Sequence, residues 1–261
     1  MTVTGHSTAL GDADVARVAA LIGDRARARV LMALVDGRAL PASVLAAEAG
    51  VAASTISEHL ARLVDGQLLT AERSGRHRYF RLADASVARA LEAIAEIAPP
   101  EPISSLRQGT RAQALRRART CYQHLAGRLG VTVIAALIDS GVLLGGDGLH
   151  HPHTAGRDRL AAAGTDTTYQ LTPAGHRQLT AFGLDVCAVL RHRCPIRYCV
   201  DWSEQRHHLA GALGNALTSR LFDLDWIRRS KRPRAVTLTD AGRHGLHSTF
   251  GVPENWESAI P

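Results

Sequence analysis

Apolar positions in the first hundred residues recur at helical spacing and are interrupted by short polar turns. In "LIGDRARARVLMALVDG", Leu21, Ile22, Val30, Leu31, Leu34 and Val35 fall on the inner face of adjacent helices. Asp24 is placed to cap the second of them. "PASVLAAEAGVAASTISEHLARLVDGQLL" then predicts a short helix over 43–49, a tight turn at Gly50 and a second helix over 54–65. Glycine suits that turn because it tolerates a left-handed backbone. Val51, Ile56, Leu60 and Leu63 anchor the second helix, which leaves Ser54, Thr55, Ser57, Glu58, His59 and Arg62 on its opposite face. "LLTAERSGRHRYFRLAD" follows as two strands around a Ser74-Gly75 turn. Arg73, Arg76, His77 and Arg78 gather at its tip, with Arg81 beyond.

That order of elements carries chemistry. Short hydroxyls and free amides at a helix start bind phosphate, and an arginine one or two turns later reaches base edges in a major groove. A basic hairpin tip alone is as easily an ordinary charged turn. Beside such a helix it grips the flanking backbone or minor groove and adds salt-dependent affinity. Helix, turn, helix and wing in sequence therefore point to duplex DNA.

Charge alone would not have located this. The chain of 261 residues has a formal net charge of +7. Residues 1–100 hold 11 arginines and 11 acidic groups, so residues 101–261 carry the whole surplus. The 31 basic residues include a single lysine, Lys231, a bias that weakens any functional reading of arginine over lysine. No apolar run reaches the roughly 18 residues of a membrane span, and the opening residues read as no signal peptide. The expected location is the cytoplasm, with Cys121, Cys187, Cys194 and Cys199 as reduced thiols.

Residues 14–98 resemble the winged helix-turn-helix domain of the ArsR/SmtB family of bacterial repressors. The matching stretches are "DRARARVLMAL", "LAAEAGVAASTISEHLARLVDGQLL" and "RSGRHRYFRL". The resemblance implies a homodimer on a palindromic operator, usually repressing, released when a signal is sensed. It also implies dimerisation through the first and last helices, here about 12–22 and 85–98. Val87, Leu91, Ile94 and Ile97 form an apolar stripe on the latter. Two departures matter. "LAAEAG" lacks the cysteine pair many metal-sensing members carry, and Asp84 is followed by Ser86 with no histidine in 85–98. Neither usual family metal site can be assembled, so no metal is expected there.

The chain also repeats itself. "HLAGRLG" at 124–130 returns as "HLAGALG" at 208–214. Both read as a helix that something approaches closely. "HLARLVDGQLL", "LGVTVIAALIDSGVLL" and "LGNALTSRLFDLDWIR" share a packed helix end, a polar turn and an apolar strand entry. After each comes a returning strand and a helix, with Thr172 and Thr239 as N-caps and Pro173 at a first helical position. The predicted fold is thus α+β, mainly α with small β-wings. A winged helix-turn-helix (14–98) precedes a C-terminal domain (107–252) of two degenerate winged-helix-like repeats, about 119–186 and 199–252. Residues 1–13 read as a flexible N-terminus, 99–106 as a Pro-rich linker and 253–261 as a tail. Where the first unit exposes hydroxyls and arginine, the later two offer glycine and alanine, which favour packing over base reading. The third wing, "RRSKRPRAV", is basic enough to hold phosphate, and a solvated loop explains it nearly as well. The C-terminal half further resembles the extension of longer ArsR-like regulators that share "ARTCYQHLAGRLGV" and "CVDWSEQRHHLAGALG".

For an effector the residues leave several options. Cys187, His192, Cys194, Cys199, His207 and His208 fall within 22 residues, and of these Cys187, Cys194, Cys199 and His207 are weak metal-ligand candidates without a CxxC knuckle. A redox switch is comparable, since nearby arginines lower thiol pKa values. His150, His151 and His153 on a glycine-rich loop read as solvated. Tyr122, Tyr198, Trp202, Glu204 and His208 are candidates for lining a small-molecule cavity. No Gly-rich phosphate loop, HExxH or GxSxG is present, so no enzyme and no resident cofactor are expected. The function read from the sequence is a dimeric DNA-binding repressor with an unidentified signal. The alternative is an architectural or protein-docking DNA-binding factor without an inducer.

Overall fold

A computed structural model describes residues 12–74, 77–99, 106–151, 158, 160 and 163–258. Arg76, His153 and most of the expected linker lie outside the described residues. The chain divides into two compact units. One runs through Met32 and resumes at Ala39–Ala83; the other takes Ala33–Arg38 and everything from Asp84 onward.

In the first unit the sequence forms helices where apolar spacing and capping agree. Helix α1 (Val15–Ile22) starts at Asp14, whose carboxylate accepts from the Arg17 amide at 2.9 Å. Helix α2 (Arg25–Leu34) starts at Asp24, which accepts from the Arg27 amide at 2.9 Å. The buried Arg27 guanidinium donates back to the carbonyls of Leu21 (2.6 Å) and Ala20 (2.9 Å), satisfying the open end of α1. After β1 (Leu40–Pro41), helix α3 (Ala42–Ala49) ends at Gly50, whose φ of +73° realises the expected left-handed turn. Helix α4 (Ala53–Asp65) buries Ile56, Leu60 and Leu63, spaced by four and three residues as one stripe requires. Strands β2 (Leu69–Ser74) and β3 (His77–Leu82) pair antiparallel from Leu69↔Leu82 to Ser74↔His77. Strand β1 pairs on the other side of β3, giving the order β1-β3-β2.

The second unit begins with α5 (Ala85–Ile97), capped by Asp84, and α6 (Leu106–Arg117). Two segments with one element order follow. The first runs β4 (Arg119–Cys121), β5 (His124–Ala126), α7 (Gly127–Asp139), β6 (Leu143–Leu144), β7 (Gln170–Leu171) and α8 (Pro173–Ala181). After α9 (Val186–Leu190), the second runs β8 (Arg197–Val200), β9 (His207–Ala210), α10 (Gly211–Asp223), β10 (Ile227–Arg229), β11 (Val236–Leu238) and α11 (Asp240–Phe250). Each of the four strand pairs is a two-stranded antiparallel ladder. Thr172 and Thr239 cap α8 and α11 through hydroxyls that accept from the Gly175 (2.8 Å) and Gly242 (3.0 Å) amides.

The repeated heptapeptide is not a helix. Its His-Leu-Ala part is a strand in both copies, and the helix begins at the first glycine. Gly127 and Gly211 take φ of +73° and +74°, the left-handed corner between strand and helix. A Cβ on Gly130 or Gly214 would lie 2.5 or 2.6 Å from the carbonyl oxygen of Leu125 or Leu209, so each helix folds directly back over its own preceding strand. Small residues beside leucine spell a corner here. Helix α7 also lies against β9, α10 against β5, and β5 beside β9, so the two copies interlock. Leu129, Ile134, Leu137, Leu213, Leu217 and Leu221 sit in one shared apolar core. The expected C-terminal tail is partly built into it. Trp256 is 2% exposed, and Arg128 donates to the Glu257 carbonyl at 2.5 Å.

Candidate nucleic-acid interface and buried polar cluster

Helix α4 starts one residue before the predicted position, and its N-cap residue Ala52 makes no side-chain cap. The cap residue thus offers the first-turn amides no side-chain acceptor. Ser54, Thr55, Ser57, Glu58 and Arg62 are exposed, as the buried stripe on the other face demands. Ser57 Oγ leans on the Ala53 carbonyl at 3.4 Å, and Arg62 pairs with Glu58 at 2.6 Å along the helix surface. Exposed pairs of that kind contribute little and exchange readily for another partner. His59 departs from the expectation. Its side chain is largely covered, with Nδ1 3.6 Å from the Asp24 carboxylate, because position 59 turns toward the start of α2. It is not part of the exposed face.

On the wing, Arg73 and Arg78 are cross-strand partners and both exposed, with the Arg78 guanidinium 5.2 Å from the Phe80 ring centre. Arg81 pairs with Glu72 across the hairpin. The backbone of His77 belongs to β3. The sequence thus sets two short exposed runs, one on α4 and one on β2–β3, in the same small unit.

Two helices leave apolar side chains uncovered. Val15 is 71% exposed on α1, and Ile97 is 76% exposed on α5. On α5, Val87 and Leu91 are buried, so the predicted stripe splits: its first half is core and its second half, Ile94 and Ile97, faces outward.

The five residues expected to line an effector cavity do not meet. Tyr122 holds the β4–β5 turn at φ +54°. Tyr198 is core, donating to Asp158 and accepting from the Thr167 amide at 2.9 Å. Trp202 is 40% exposed under the Arg119 guanidinium, and Glu204 pairs with Arg128 at 3.2 Å. Two surface grooves are lined around Tyr169, His176 and Ile196 and around Asp185, Cys194 and Asn215; neither includes any of the five. The third basic wing is likewise mostly engaged. Arg228 pairs with Asp225, and Arg234 donates to the Thr120 carbonyl at 3.3 Å.

The proposed metal-ligand set is also redistributed. Cys187 and Cys194 are exposed, next to His176 (4.0 Å) and Arg197 (3.9 Å) respectively. His207 points the other way from its neighbour His208, because adjacent strand residues face opposite sides. It bonds the Tyr169 hydroxyl at 2.8 Å, and burial pushes its pKa down to about 4. Only Cys199 of that set joins a polar cluster, and its companions are Cys121, His124 and His208. Sequence reading placed His208 both in the Cys- and His-rich stretch and among the cavity candidates, took Cys121 only as a reduced thiol, and did not consider His124 as a ligand. The available signal was the repeat itself: "RTCYQHLAG" and "RYCVDWSEQRHHLAG" align these cysteines and histidines once the longer hairpin turn is allowed for.

The four are buried, and their ligating atoms all lie within 4.8 Å of one another. Each hairpin contributes one pair, Cys121↔His124 and Cys199↔His208, directly opposite across the strands. Cys199 Sγ is 3.6 Å from His124 Nε2, and the imidazoles stack with centres 5.1 Å apart. Asp201 sits behind His208 with Oδ2 3.3 Å from Nδ1. That carboxylate accepts from Arg119 (2.8 Å), the Gly127 amide (2.7 Å) and the Ser203 hydroxyl (2.7 Å). Burial opposes the Asp201 charge, yet His208, Arg119 and Ser203 hold its carboxyl far below the usual range. Burial opposes the His208 imidazolium too, and Asp201 overrides it, pushing the pKa up to about 9. Between the thiols, hydrogen bonding to Cys199 and the nearby imidazoles hold Cys121 below its ordinary range, while Cys199 is raised. Glu92 of α5 stands 3.3 Å from Cys121 Sγ, its pKa pushed up to about 8 by burial and then by that thiol.

Known proteins resemble the helix-turn-helix part of the chain, and one of them resembles most of its length. A family profile described as a helix-turn-helix domain matches residues 22–72. A Bacillus subtilis protein described as an uncharacterized HTH-type transcriptional regulator, YdfF, is 35% identical over 240 residues, spanning 92% of this chain and 98% of its own. The HTH-type transcriptional regulator CmtR of Mycobacterium tuberculosis is 37% identical over 83 residues, 32% of this chain and 70% of its own. Among solved structures, that of the cadmium metal-sensor CmtR from the same organism is 34% identical, covers 36% of this chain and all of its own, and superposes with a TM-score of 0.28.

Proposed function

The chain belongs to the ArsR/SmtB family of helix-turn-helix transcriptional regulators, and from that premise we propose a cytoplasmic, homodimeric repressor whose α4 reads the operator and whose second unit receives the releasing signal. It acts as a DNA-binding regulator rather than as an enzyme. One observation carries the reading of the site: α4 buries a single apolar stripe and exposes Ser54, Thr55, Ser57, Glu58 and Arg62 beside an exposed Arg73–Arg78 pair on the wing. The free amides and hydroxyls at the start of α4 take a phosphate, and Arg62 exchanges Glu58 for a base edge. Arg73 and Arg78 hold the neighbouring backbone, a role the sequence alone assigns to Arg76 and His77 as well. His59 has no part in the contact.

Dimerisation supports the same reading. The uncovered side chains Val15 and Val18 on α1, and Ile94 and Ile97 on α5, are apolar groups that a second copy would cover. They fall on the two helices expected to form the family seam.

The test is selection of genomic fragments on the purified chain, followed by footprinting of the enriched duplex. A palindrome with half-sites about 10 base pairs apart, or a multiple of that, is the expected result. Sequence-indifferent protection would reject the reading and favour an architectural role.

A further inference from the structure

We propose that Cys121, His124, Cys199 and His208 form a closed four-ligand site for a zinc-class divalent ion that clamps the two interlocked hairpins of the second unit. This goes beyond the DNA-binding reading and does not depend on it. It also differs in place and composition from both family metal sites whose residues are missing.

The geometry points there in four ways. Two thiols and two imidazoles converge from two hairpins, with all ligating atoms within 4.8 Å of one another. Tetrahedral zinc with metal–sulfur and metal–nitrogen distances of about 2.3 and 2.0 Å has ligand–ligand edges of roughly 3.3–3.8 Å. The Cys199–His124 edge, at 3.6 Å, already lies in that window. No other edge exceeds 4.8 Å, so closing the set needs an inward shift of at most about 1.5 Å, a side-chain adjustment.

Second, His208 is 1% exposed, and with Nδ1 turned to Asp201 at 3.3 Å its Nε2 has no hydrogen-bond partner among the described residues. A buried imidazole left that way is costly unless something ligates it. Third, Asp201 stands behind Nδ1 of His208 and is itself held by Arg119, Gly127 and Ser203. That is the carboxylate–histidine support which orients a metal-binding imidazole and leaves Nε2 to the ion. Fourth, the helices are shaped to the ligands. A Cβ on Gly214 would meet His124 Cβ at 3.3 Å, and one on Gly130 would meet His208 Cβ at 3.5 Å. Each repeat's helix glycine thus packs beside the other repeat's histidine, while its own strand's carbonyl sets the closest limit.

The donor set chooses the ion. Thiolate with imidazole selects zinc and its soft neighbours over magnesium or calcium, which take oxygen ligands. With four protein ligands and all of them buried, no position is open for water, so the site holds structure and does no hydrolytic chemistry. Loading displaces to solvent whatever protons the two thiols still carry, together with the Nε2 proton of a His208 imidazolium, because each ligand must present a free lone pair.

The test uses the full chain, reduced, stripped with a chelator and titrated with cobalt chloride and then zinc chloride. The expected result is one cobalt per chain with the intense visible bands of a tetrahedral ion and thiolate-to-cobalt charge transfer, both bleached by zinc. Cys121→Ser and Cys199→Ser each lose that spectrum, whereas a Cys187→Ser/Cys194→Ser double variant keeps it. Asp201→Asn weakens zinc by roughly 10–100-fold. Because a buried variant can misfold, thiol alkylation of the unaltered chain gives an independent readout. Zinc should slow labelling of Cys121 and Cys199 and leave Cys187 and Cys194 unaffected. Equal labelling with and without zinc, a pale octahedral cobalt spectrum, or a Cys121–Cys199 disulfide that takes up no metal once reduced would overturn the proposal.

Discussion

Helix α4 and the pair α7 and α10 close in the same way, on leucine, an apolar residue and aspartate before a turn into a strand, yet their surfaces are opposites. Along α4 three side chains are buried and nearly all the rest are exposed or half-covered. Along α7 Leu129, Gly130, Val131, Thr132, Val133, Ile134, Ala136 and Leu137 are all buried, and α10 follows with Leu213, Gly214, Leu217 and Leu221. The shared ending is a backbone device for turning a helix into a strand. What the helix does is set by whether its other faces carry groups that bond outward or groups small enough to admit a neighbour. Helix α7, buried along most of its length, has no face left for a duplex groove, and the half-covered side of α10 offers mainly small residues such as Ala212 and Ala216.

The sharpest way to break that contrast is to cut into both helices. Leu137→Ala, in the core of α7, should cost about 2–5 kcal/mol in denaturant unfolding, while Thr55→Ala on α4 should shift stability by no more than about 0.5 kcal/mol. Similar losses at the two positions would mean that α4 is also a packing helix. Next comes Gly214→Ala. Its new methyl would stand 2.6 Å from the Leu209 carbonyl oxygen, so overpacking of about 1–3 kcal/mol is expected, read as a lower unfolding midpoint. Arg62→Ala should leave the unfolding midpoint alone and weaken operator binding by about 1–3 kcal/mol with relaxed selectivity at one base pair. Arg78→Ala should weaken all duplexes alike and lower the salt slope by about 1, measured by titrating binding against salt. The smallest effect tests the shared wing-to-helix corner. Thr172→Ala removes the hydroxyl that caps α8 and should cost about 1 kcal/mol of stability without touching DNA affinity.

Much of the first unit was legible because its information is local. A stripe at helical spacing, an aspartate before a helix and a glycine at a left-handed turn each act within a few residues. Gly50, Asp24 and the Leu60–Leu63 anchor need no distant partner to be understood. His59 was the exception: on the helical pattern it belongs with the exposed residues, and only the proximity of Asp24 turns it inward. In the second unit the repeat was visible but its meaning was not. Small residues between leucines suit both a tightly packed helix and a strand–helix corner, and the left-handed φ at Gly127 and Gly211 decides for the corner.

By itself the sequence determined the order of helices and wings, the helix with an outward chemical face, the capping threonines and the twofold repetition of the C-terminal half. All of these follow from interactions between residues close along the chain. Tertiary structure alone decided which thiols and imidazoles meet. Cys194 and Cys199 are neighbours in sequence, but strand β8 buries one while the other stays outside, whereas Cys121 and Cys199 lie 78 residues apart and share a pocket. The physical reason is that strand alternation assigns each side chain to a face, and the interlocking of two hairpins then brings matching faces together. No local spacing rule records that outcome.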